Sequence, residues 1–171
     1  VEPQQSVDVE PRQIRIVTHL KYRLRGSRAA GLAFQLGGLK FDRLSPEDLL
    51  DAPEPVGDDG ILRVPFRQGV ALPAELDLKL ETHQPLAEGA EQFAVILPRP
   101  LADSVAPATV VVWPADNVEL SPQTGLLLGL SPDATPAPPP LVPRQQRPLV
   151  YRDLGGSEPA QLGGLLKVKP R

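Results

Sequence analysis

The chain contains no cysteine and no methionine, and only 4% of its 171 residues are aromatic. Without cysteine it forms neither disulfides nor thiolate metal sites, although this does not identify the compartment. The 41% of hydrophobic residues is enough for a core, and because so few of them are aromatic, that core must be mostly aliphatic. No apolar run approaches the roughly 18–20 residues of a membrane-spanning helix, and no signal-peptide pattern is present. We predict no membrane span within this chain. Because it begins at Val1, we expect a processed or excised part of a longer protein.

Proline is the residue in excess, with 22 in 171 positions, against an ordinary usage of about 5%. Because proline fixes φ and has no N–H, it belongs at strand ends, edges and bulges and disfavours long helices. It stands beside most apolar runs, for example at Pro65, Pro98 and Pro114. This distribution predicts many short strands joined by stiff turns.

The clearest pattern is an alternation that runs from residue 14 to residue 24. Every second residue is uncharged: Ile14, Ile16, Thr18, Leu20, Tyr22 and Leu24. Strand side chains alternate between two faces, so the pattern predicts a long, half-buried β-strand. The residues between them are mostly basic. The candidate interaction face consists of Arg15, His19, Lys21, Arg23 and Arg25 together with Trp113.

Weaker alternation recurs at intervals of roughly 8–17 residues, which is typical of a β-sandwich. Leu32 to Phe41, with a turn at Gly37-Gly38, reads as a hairpin, and Leu62 to Phe66 as an edge strand. The β-branched run from Thr109 to Trp113 predicts a central strand covered on both faces. The predicted fold class is all-β, an antiparallel β-sandwich of Ig-like or fibronectin-like architecture.

At most one short helix or 3₁₀ turn is expected, near residues 45–51. Ser45 is a candidate N-cap, Pro46 suits the first helical position, and acidic residues follow in the first turn. Pro53 would end such a helix within about two turns.

The sequence divides into four predicted segments. Residues 1–11 are interpreted as a lead-in, 12–130 as the sandwich domain, and 131–146 as a proline-rich linker, with a ligand for an SH3-like groove as the alternative. Residues 147–171 contain two further strands, separated by Gly155-Gly156 and Gly163-Gly164. These strands either add to the sandwich or begin a truncated second module.

The net charge of −3 gives no general argument for binding nucleic acid or an anionic membrane. The charges are unevenly distributed, however. Residues 12–43 carry eight Lys or Arg and one acid, whereas residues 44–119 carry fourteen acids and four Lys or Arg. This distribution favours cross-strand charge pairs, each worth roughly 0.2–1 kcal/mol. A basic binding face is the alternative, although it lacks the interleaved aromatic residues of single-strand nucleic-acid binders.

No catalytic, metal or cofactor site is predicted. Neither His19 nor His83 has a second ligand at a metal-binding spacing. Asp58-Asp59-Gly60 is typical of a turn and lacks the spacing of a calcium loop. A grouping of His83 with Ser104 and Asp103 has no nucleophile-elbow motif, and no phosphate-binding glycine loop is present.

Three stretches resemble parts of large, uncharacterised bacterial cell-envelope proteins built of consecutive β-sandwich modules. They are Leu20–Arg25, Gly60–Pro65, and Leu97–Pro100 leading into Ala108–Val118. The resemblance implies an extracytoplasmic location, in the periplasm or at the cell surface, and a scaffold or interaction role.

We therefore expect a non-catalytic structural or protein-interaction module, whose partner is another protein or other modules of the same chain. The alternative is a carbohydrate- or peptide-binding sandwich that uses Trp113, with Tyr22 or Tyr151, as stacking platforms, which would make a glycan the partner. No nucleic acid and no cofactor is expected in either case.

Overall fold

The structure is a computed structural model that describes residues 1–24, 30–133, 146–155 and 159–169. Within these residues the strands are β1 (Glu2–Val9), β2 (Gln13–Arg23), β3 (Gly31–Gln35), β4 (Lys40–Ser45), β5 (Ile61–Pro65), β6 (Glu75–Pro85), β7 (Gln92–Ile96), β8 (Arg99–Pro100), β9 (Ala108–Pro114), β10 (Val118–Pro122), β11 (Leu130–Pro132), β12 (Leu149–Asp153) and β13 (Gln161–Val168). A 3₁₀ helix, Thr124–Leu126, is the only helical element of the described ranges. The prediction of a nearly all-β chain is confirmed. Arg25 and most of the predicted linker lie outside the described residues.

The strands form three sheets. The large sheet has seven strands in the order β11-β12-β9-β1-β2-β6-β4, and the two small sheets have the orders β10-β13-β7 and β5-β3-β8. β1 and β9 run parallel, whereas the other named strand pairs are antiparallel. The expectation of purely antiparallel sheets is therefore wrong for this pair. Parallel strands need a long connection, and here most of the chain separates the two strands.

One face of each sheet contributes to a common cluster of buried side chains. Ile16 and Leu20, on the inward face of β2, are at most 2% exposed, as the alternation predicts. Phe34 enters the cluster from β3, and Val95 and Leu162 enter it from β7 and β13. The apolar faces of all three sheets are thus removed from water together, at roughly 1.5–3 kcal/mol for each fully buried aliphatic or phenyl side chain.

The first strand is the main element that the sequence did not predict. β1 lies inside the large sheet, between β9 and β2, although residues 1–11 are interpreted from the sequence as a lead-in. Val7 and Val9, which point inward, are 0% exposed. The segment therefore supplies a central strand.

A buried glutamine explains why β1 escapes a search for apolar alternation. Gln5 occupies an inward position of β1 and is only 5% exposed. Its Nε2 donates a hydrogen bond to the carbonyl oxygen of Pro98 at 2.8 Å. Pro98 lies between β7 and β8, which belong to different small sheets. The bond satisfies a buried amide, as burial of a polar group requires, and links the large sheet to the segment that joins the small ones.

The β9 and β5 predictions agree with the structure. β9 lies between β12 and β1, and its residues from Val110 to Trp113 are buried on both faces. β5 lies at the edge of its sheet. Proline is tolerated on an edge strand because its missing N–H breaks no hydrogen bond to a neighbouring strand.

The hairpin predicted around Gly37-Gly38 is wrong. The turn forms, with Gly37 at φ +58°, but β3 pairs with β5 and β8 while β4 pairs with β6. The turn therefore carries the chain from a small sheet to the large one.

Of the short helix or 3₁₀ turn predicted near residues 45–51, a single turn forms and the helix does not. Ser45 is extended and pairs with Lys79 of β6, so it is not an N-cap. A single turn follows, in which Leu50 N–H donates to Glu47 O at 3.1 Å, and Leu50 then bridges to Phe66. Strand pairing on both sides of the turn replaces the helix.

Gly163-Gly164 lies within β13 and does not separate strands as the sequence suggests. A Cβ at Gly164 would come within 2.5 Å of Ser121 O, and one at Gly163 within 2.7 Å of Leu126 Cβ. Glycine is needed here because neighbouring segments approach closely. β12 and β13, whose placement the sequence leaves open between two alternatives, pair with β9 and with β7 and β10.

Ile16→Ala is expected to lower the free energy of unfolding by about 2–5 kcal/mol, since it leaves a cavity at a fully buried position. Val17→Ala, at the next residue but on the outward face of β2, should change it by less than about 1 kcal/mol. Urea unfolding followed by tryptophan fluorescence measures both. Equal losses would contradict the assignment of the inward and outward faces.

Gly164→Ala is expected to cost about 1–3 kcal/mol of unfolding free energy, because its methyl group would press on the β10 backbone. Gly38→Ala is the matched control, since an added Cβ there meets no atom within 4 Å. Thermal unfolding should separate the two variants. The close β10–β13 approach would be refuted if Gly164→Ala melted with the parent.

Candidate functional site

The outward face of the large sheet carries four of the predicted interaction residues. Arg15, His19 and Arg23 are exposed and Lys21 is half-buried, and all four alternate with the inward residues of β2. β2 lies between β1 and β6, so these side chains follow one line along the sheet. We call these four residues the basic row.

Acidic residues flank the basic row on both neighbouring strands. Lys21 lies opposite Glu2 of β1 and Asp77 of β6. Arg23 lies opposite Glu75 on β6, in the same way. Opposite charges at such cross-strand positions attract one another. The register thus supports the charge-pairing interpretation, and it produces a face on which both signs of charge are exposed.

Ion pairs on this face are short-range and solvent-accessible. Lys79 Nζ lies 3.7 Å from Glu81 Oε1, and Arg15 Nη1 lies 4.0 Å from Glu10 Oε1. Exposed pairs of this kind contribute about 0–1 kcal/mol each to stability. Their charges are thus available to a partner at little cost to the fold.

The contact between His83 and Asp42 is not predicted by the sequence analysis. His83 Nδ1 lies 2.7 and 2.8 Å from the two carboxylate oxygens of Asp42. Asp42 is the extra residue of a bulge in β4, between Phe41 and Arg43, and a bulge of this kind redirects a side chain. Since 41 residues separate the pair in sequence, only the β4–β6 register could have revealed it.

The structure does not bring His83 together with Ser104. His83 pairs with Arg15, which lies opposite Asp8 near the end of β1. The Ser104 carbonyl oxygen instead accepts a hydrogen bond from the amino group of Val1, at 2.8 Å. The two residues therefore lie at opposite ends of the large sheet.

Trp113 is not exposed with the basic row. It is 8% exposed and lies opposite Asp8 of β1, on the outward face of β9. Val112, its inward neighbour, belongs to the common core cluster, whereas Trp113 does not. It is thus a buried side chain outside that cluster.

Sugar stacking requires an exposed aromatic ring, but all three candidate rings of this chain are buried. Tyr22 is 6% exposed and Tyr151 is 5% exposed, in addition to the buried Trp113. A stacked sugar covers the face of a ring, so each of these rings would have to leave its packing first. The burial pattern gives the carbohydrate-binding alternative no support.

Asp59 closes the turn predicted at Asp58-Asp59-Gly60. Its carboxylate accepts hydrogen bonds from Ile61 N–H and from Arg63 Nη2, both at 3.0 Å. These contacts, the Ile61 N–H first and Arg63 second, lower the pKa of the Asp59 carboxyl. The carboxylate thus has a local structural role.

A cleft of about 860 Å³ opens below the end of β2. Its described lining is mostly apolar, including Leu24, Phe66 and Leu72, with Asp51 and Arg67 as charged groups. Arg67 Nε donates to Leu50 O at 3.1 Å. No Ser, Thr, Cys or His stands among the lining residues that the structure describes.

The described ranges contain neither a metal-binding group of side chains nor a membrane-spanning helix. No three His, Cys, Asp or Glu side chains of those ranges are grouped so that they could hold a metal ion. Among the same residues, no helix has the length and apolarity to cross a membrane.

Comparison with known proteins does not place the chain in a family. No protein-family model matches it, and no curated protein matches it significantly. The functional argument therefore rests on the geometry above.

Tyr22→Phe is expected to leave the free energy of unfolding unchanged or to raise it by up to about 1 kcal/mol. The Tyr22 hydroxyl is buried and, within the part of the chain that the structure describes, has no hydrogen-bond partner, so its removal ends a desolvation cost. Urea unfolding at neutral pH measures this change. A loss above about 1 kcal/mol would show that the hydroxyl does have a stabilising partner.

Tyr22→Phe should also make the free energy of unfolding fall less steeply as the pH rises into the alkaline range. Burial raises the pKa of the Tyr22 hydroxyl, and it also raises the pKa of the Tyr151 hydroxyl. The folded protein therefore holds these phenolic protons more tightly than the unfolded chain does. Stability that is fully present below pH about 10 is lost as pH rises further. Tyr22→Phe should reduce the decline and Tyr151→Phe should reduce it separately; a slope identical to the parent's in both would refute the linkage.

Proposed function

We propose that this chain is a non-catalytic structural and protein-interaction module of the cell envelope, built as a β-sandwich of Ig-like or fibronectin-like architecture. In this proposal the large sheet is one layer and the two small sheets together are the other. The shared core cluster supports this arrangement, since it includes Ile16 of the large sheet with Phe34 and Val95 of the small ones. The Gln5–Pro98 hydrogen bond adds a polar link between the two layers.

The observation that carries the interaction role is the mixed-charge face around the basic row. Arg15, His19 and Arg23 are exposed in the middle of the largest sheet, beside carboxylates of β1 and β6. Charges arranged in this way select a complementary partner surface and make association sensitive to salt. The partner we propose is another envelope protein, or another module of the same polypeptide.

The proposed extracytoplasmic location rests on the resemblance to modular envelope proteins. Fractionation of the producing cells, with antibodies against the purified chain, tests it directly. We expect the chain in the periplasmic or surface fraction, and its recovery with the cytoplasmic proteins would refute the location.

Arg15→Gln with Arg23→Gln is expected to weaken binding to an envelope partner by about two- to thirtyfold, since each of the two exposed charges contributes about 0.2–1 kcal/mol. The matched control is Lys167→Gln with Lys169→Gln, which changes the net charge equally but on a different sheet. Immobilised chains are exposed to envelope protein extract at low salt and again at about 0.5 M NaCl. Retained proteins are quantified by mass spectrometry.

The expected result is a set of proteins retained by the parent and by the lysine variant, and depleted both by the arginine variant and by salt. Equal retention by the two variants, or indifference to salt, would refute the basic row as the binding surface. Circular dichroism of each variant confirms that the β-structure is kept.

A further inference from the structure

β1 is hydrogen-bonded to a neighbouring strand on each side, but the segment that connects it to β2 is very short. It pairs with β2 from Glu2 to Val9 and with β9 from Gln4 to Val9. Its covalent link to β2 is residues 10–12 alone. A second copy of this chain contains the same slot between β2 and β9, so β1 could make every one of these contacts there.

The turn that joins β1 to β2 is poorly suited to a tight hairpin. Glu10 N–H donates to Gln13 O at 2.9 Å, which leaves Pro11 and Arg12 as a two-residue loop. Two-residue hairpins favour turn types with positive φ at the first loop position, because those match the twist of the strands. Proline fixes φ near −65°, and no non-glycine residue of the described ranges has a positive φ.

Opening this turn therefore breaks few stabilising contacts. The contacts specific to the closed turn are the Glu10–Gln13 main-chain bond, the 2.9 Å bond from Gln13 Nε2 to Glu10 Oε2 and the 4.0 Å Arg15–Glu10 pair. The strand pairing, the buried valines and the Gln5–Pro98 bond do not depend on which copy supplies β1.

We propose that this chain forms a two-fold dimer by exchanging β1, so that residues 1–9 of each copy fill the slot between β2 and β9 of its partner. Exchange of an identical element is a low-cost route to a symmetric dimer. The closed monomer prevails in dilute solution because its own β1 has a high effective concentration, typically in the millimolar range. The dimer forms when chains refold together at high concentration.

The occupant is a second copy of the chain because the slot matches this particular strand. Val7 and Val9 fill fully buried positions, and the Gln5 amide donates a hydrogen bond to the Pro98 carbonyl oxygen at 2.8 Å. An unrelated strand would need a glutamine and two small β-branched residues at the same three alternate positions. The exchange is independent of the proposed envelope role, and neither result decides the other.

Two hinge variants test the proposal in opposite directions. Deletion of Pro11 and Arg12 leaves no hairpin loop, so it should give a dimer at concentrations where the parent is a monomer. Pro11→Asn with Arg12→Gly supplies a favoured hairpin turn and should remain a monomer even after refolding at about 1 mM. Size-exclusion chromatography with light scattering measures the mass. A folded monomeric deletion variant would overturn the proposal.

Disulfide formation between introduced cysteines tests the same exchange of β1 in chains that keep residues 10–12. It remains decisive if the deletion variant does not fold. Ser6 and Val17 are cross-strand partners, and the chain has no cysteine of its own. Ser6→Cys and Val17→Cys chains are unfolded together, refolded at high concentration and oxidised. Exchange places position 6 of one chain opposite position 17 of the other, within the distance that a disulfide needs.

The control mixture pairs Ser6→Cys with Ser121→Cys, an exposed position in a different sheet. Mass spectrometry of the linked peptides should show the Ser6–Val17 link in at least about tenfold excess over the control link, since only the exchanged pair is brought within disulfide distance. Equal yields of the two links would overturn the exchange.

Discussion

The position of β1 is the constraint on which the large sheet depends. Its parallel pairing with β9 and antiparallel pairing with β2 join strands from the beginning and the later part of the chain into one sheet. Without β1 the inward residues of β2 and β9, such as Ile16 and Val112, would border a gap in the core face. The hydrogen bond from Gln5 to Pro98 then joins this strand to the two small sheets.

The alternation of residue types predicted the strands whose inward positions are uncharged and mostly apolar. β2 is the clearest case, and the continuous β-branched run of β9 and the edge position of β5 also followed from residue type. β1 was missed because Gln5 breaks its apolar series, and the buried amide is satisfied by tertiary partners: the Thr18 hydroxyl at 3.4 Å and the Pro98 carbonyl oxygen, 93 residues away, at 2.8 Å. Gly163-Gly164 was misread because the close approach of β10 is a tertiary contact.

The candidate site was predictable in composition but not in arrangement. The basic row could be read from β2 alone, since alternation assigns those side chains to one face. Its acidic neighbours depend on the register with β1 and β6, and the His83–Asp42 contact depends on a bulge. Local sequence does not encode either. Trp113 was chosen for its residue type, and its burial depends on the neighbours that cover the outward face of β9.

The parallel β1–β9 pair also bears on how the chain folds as it is synthesised. Gln4 leaves the ribosome about a hundred residues before its partner Thr109. At roughly 5–20 residues per second this delay is about 5–20 s. During that interval the β1 edge of the β1–β2 hairpin has no strand paired with it, and the apolar face of β1 is uncovered. An exposed strand edge of this kind favours aggregation. Chaperone capture of the nascent polypeptide would be most valuable in this window.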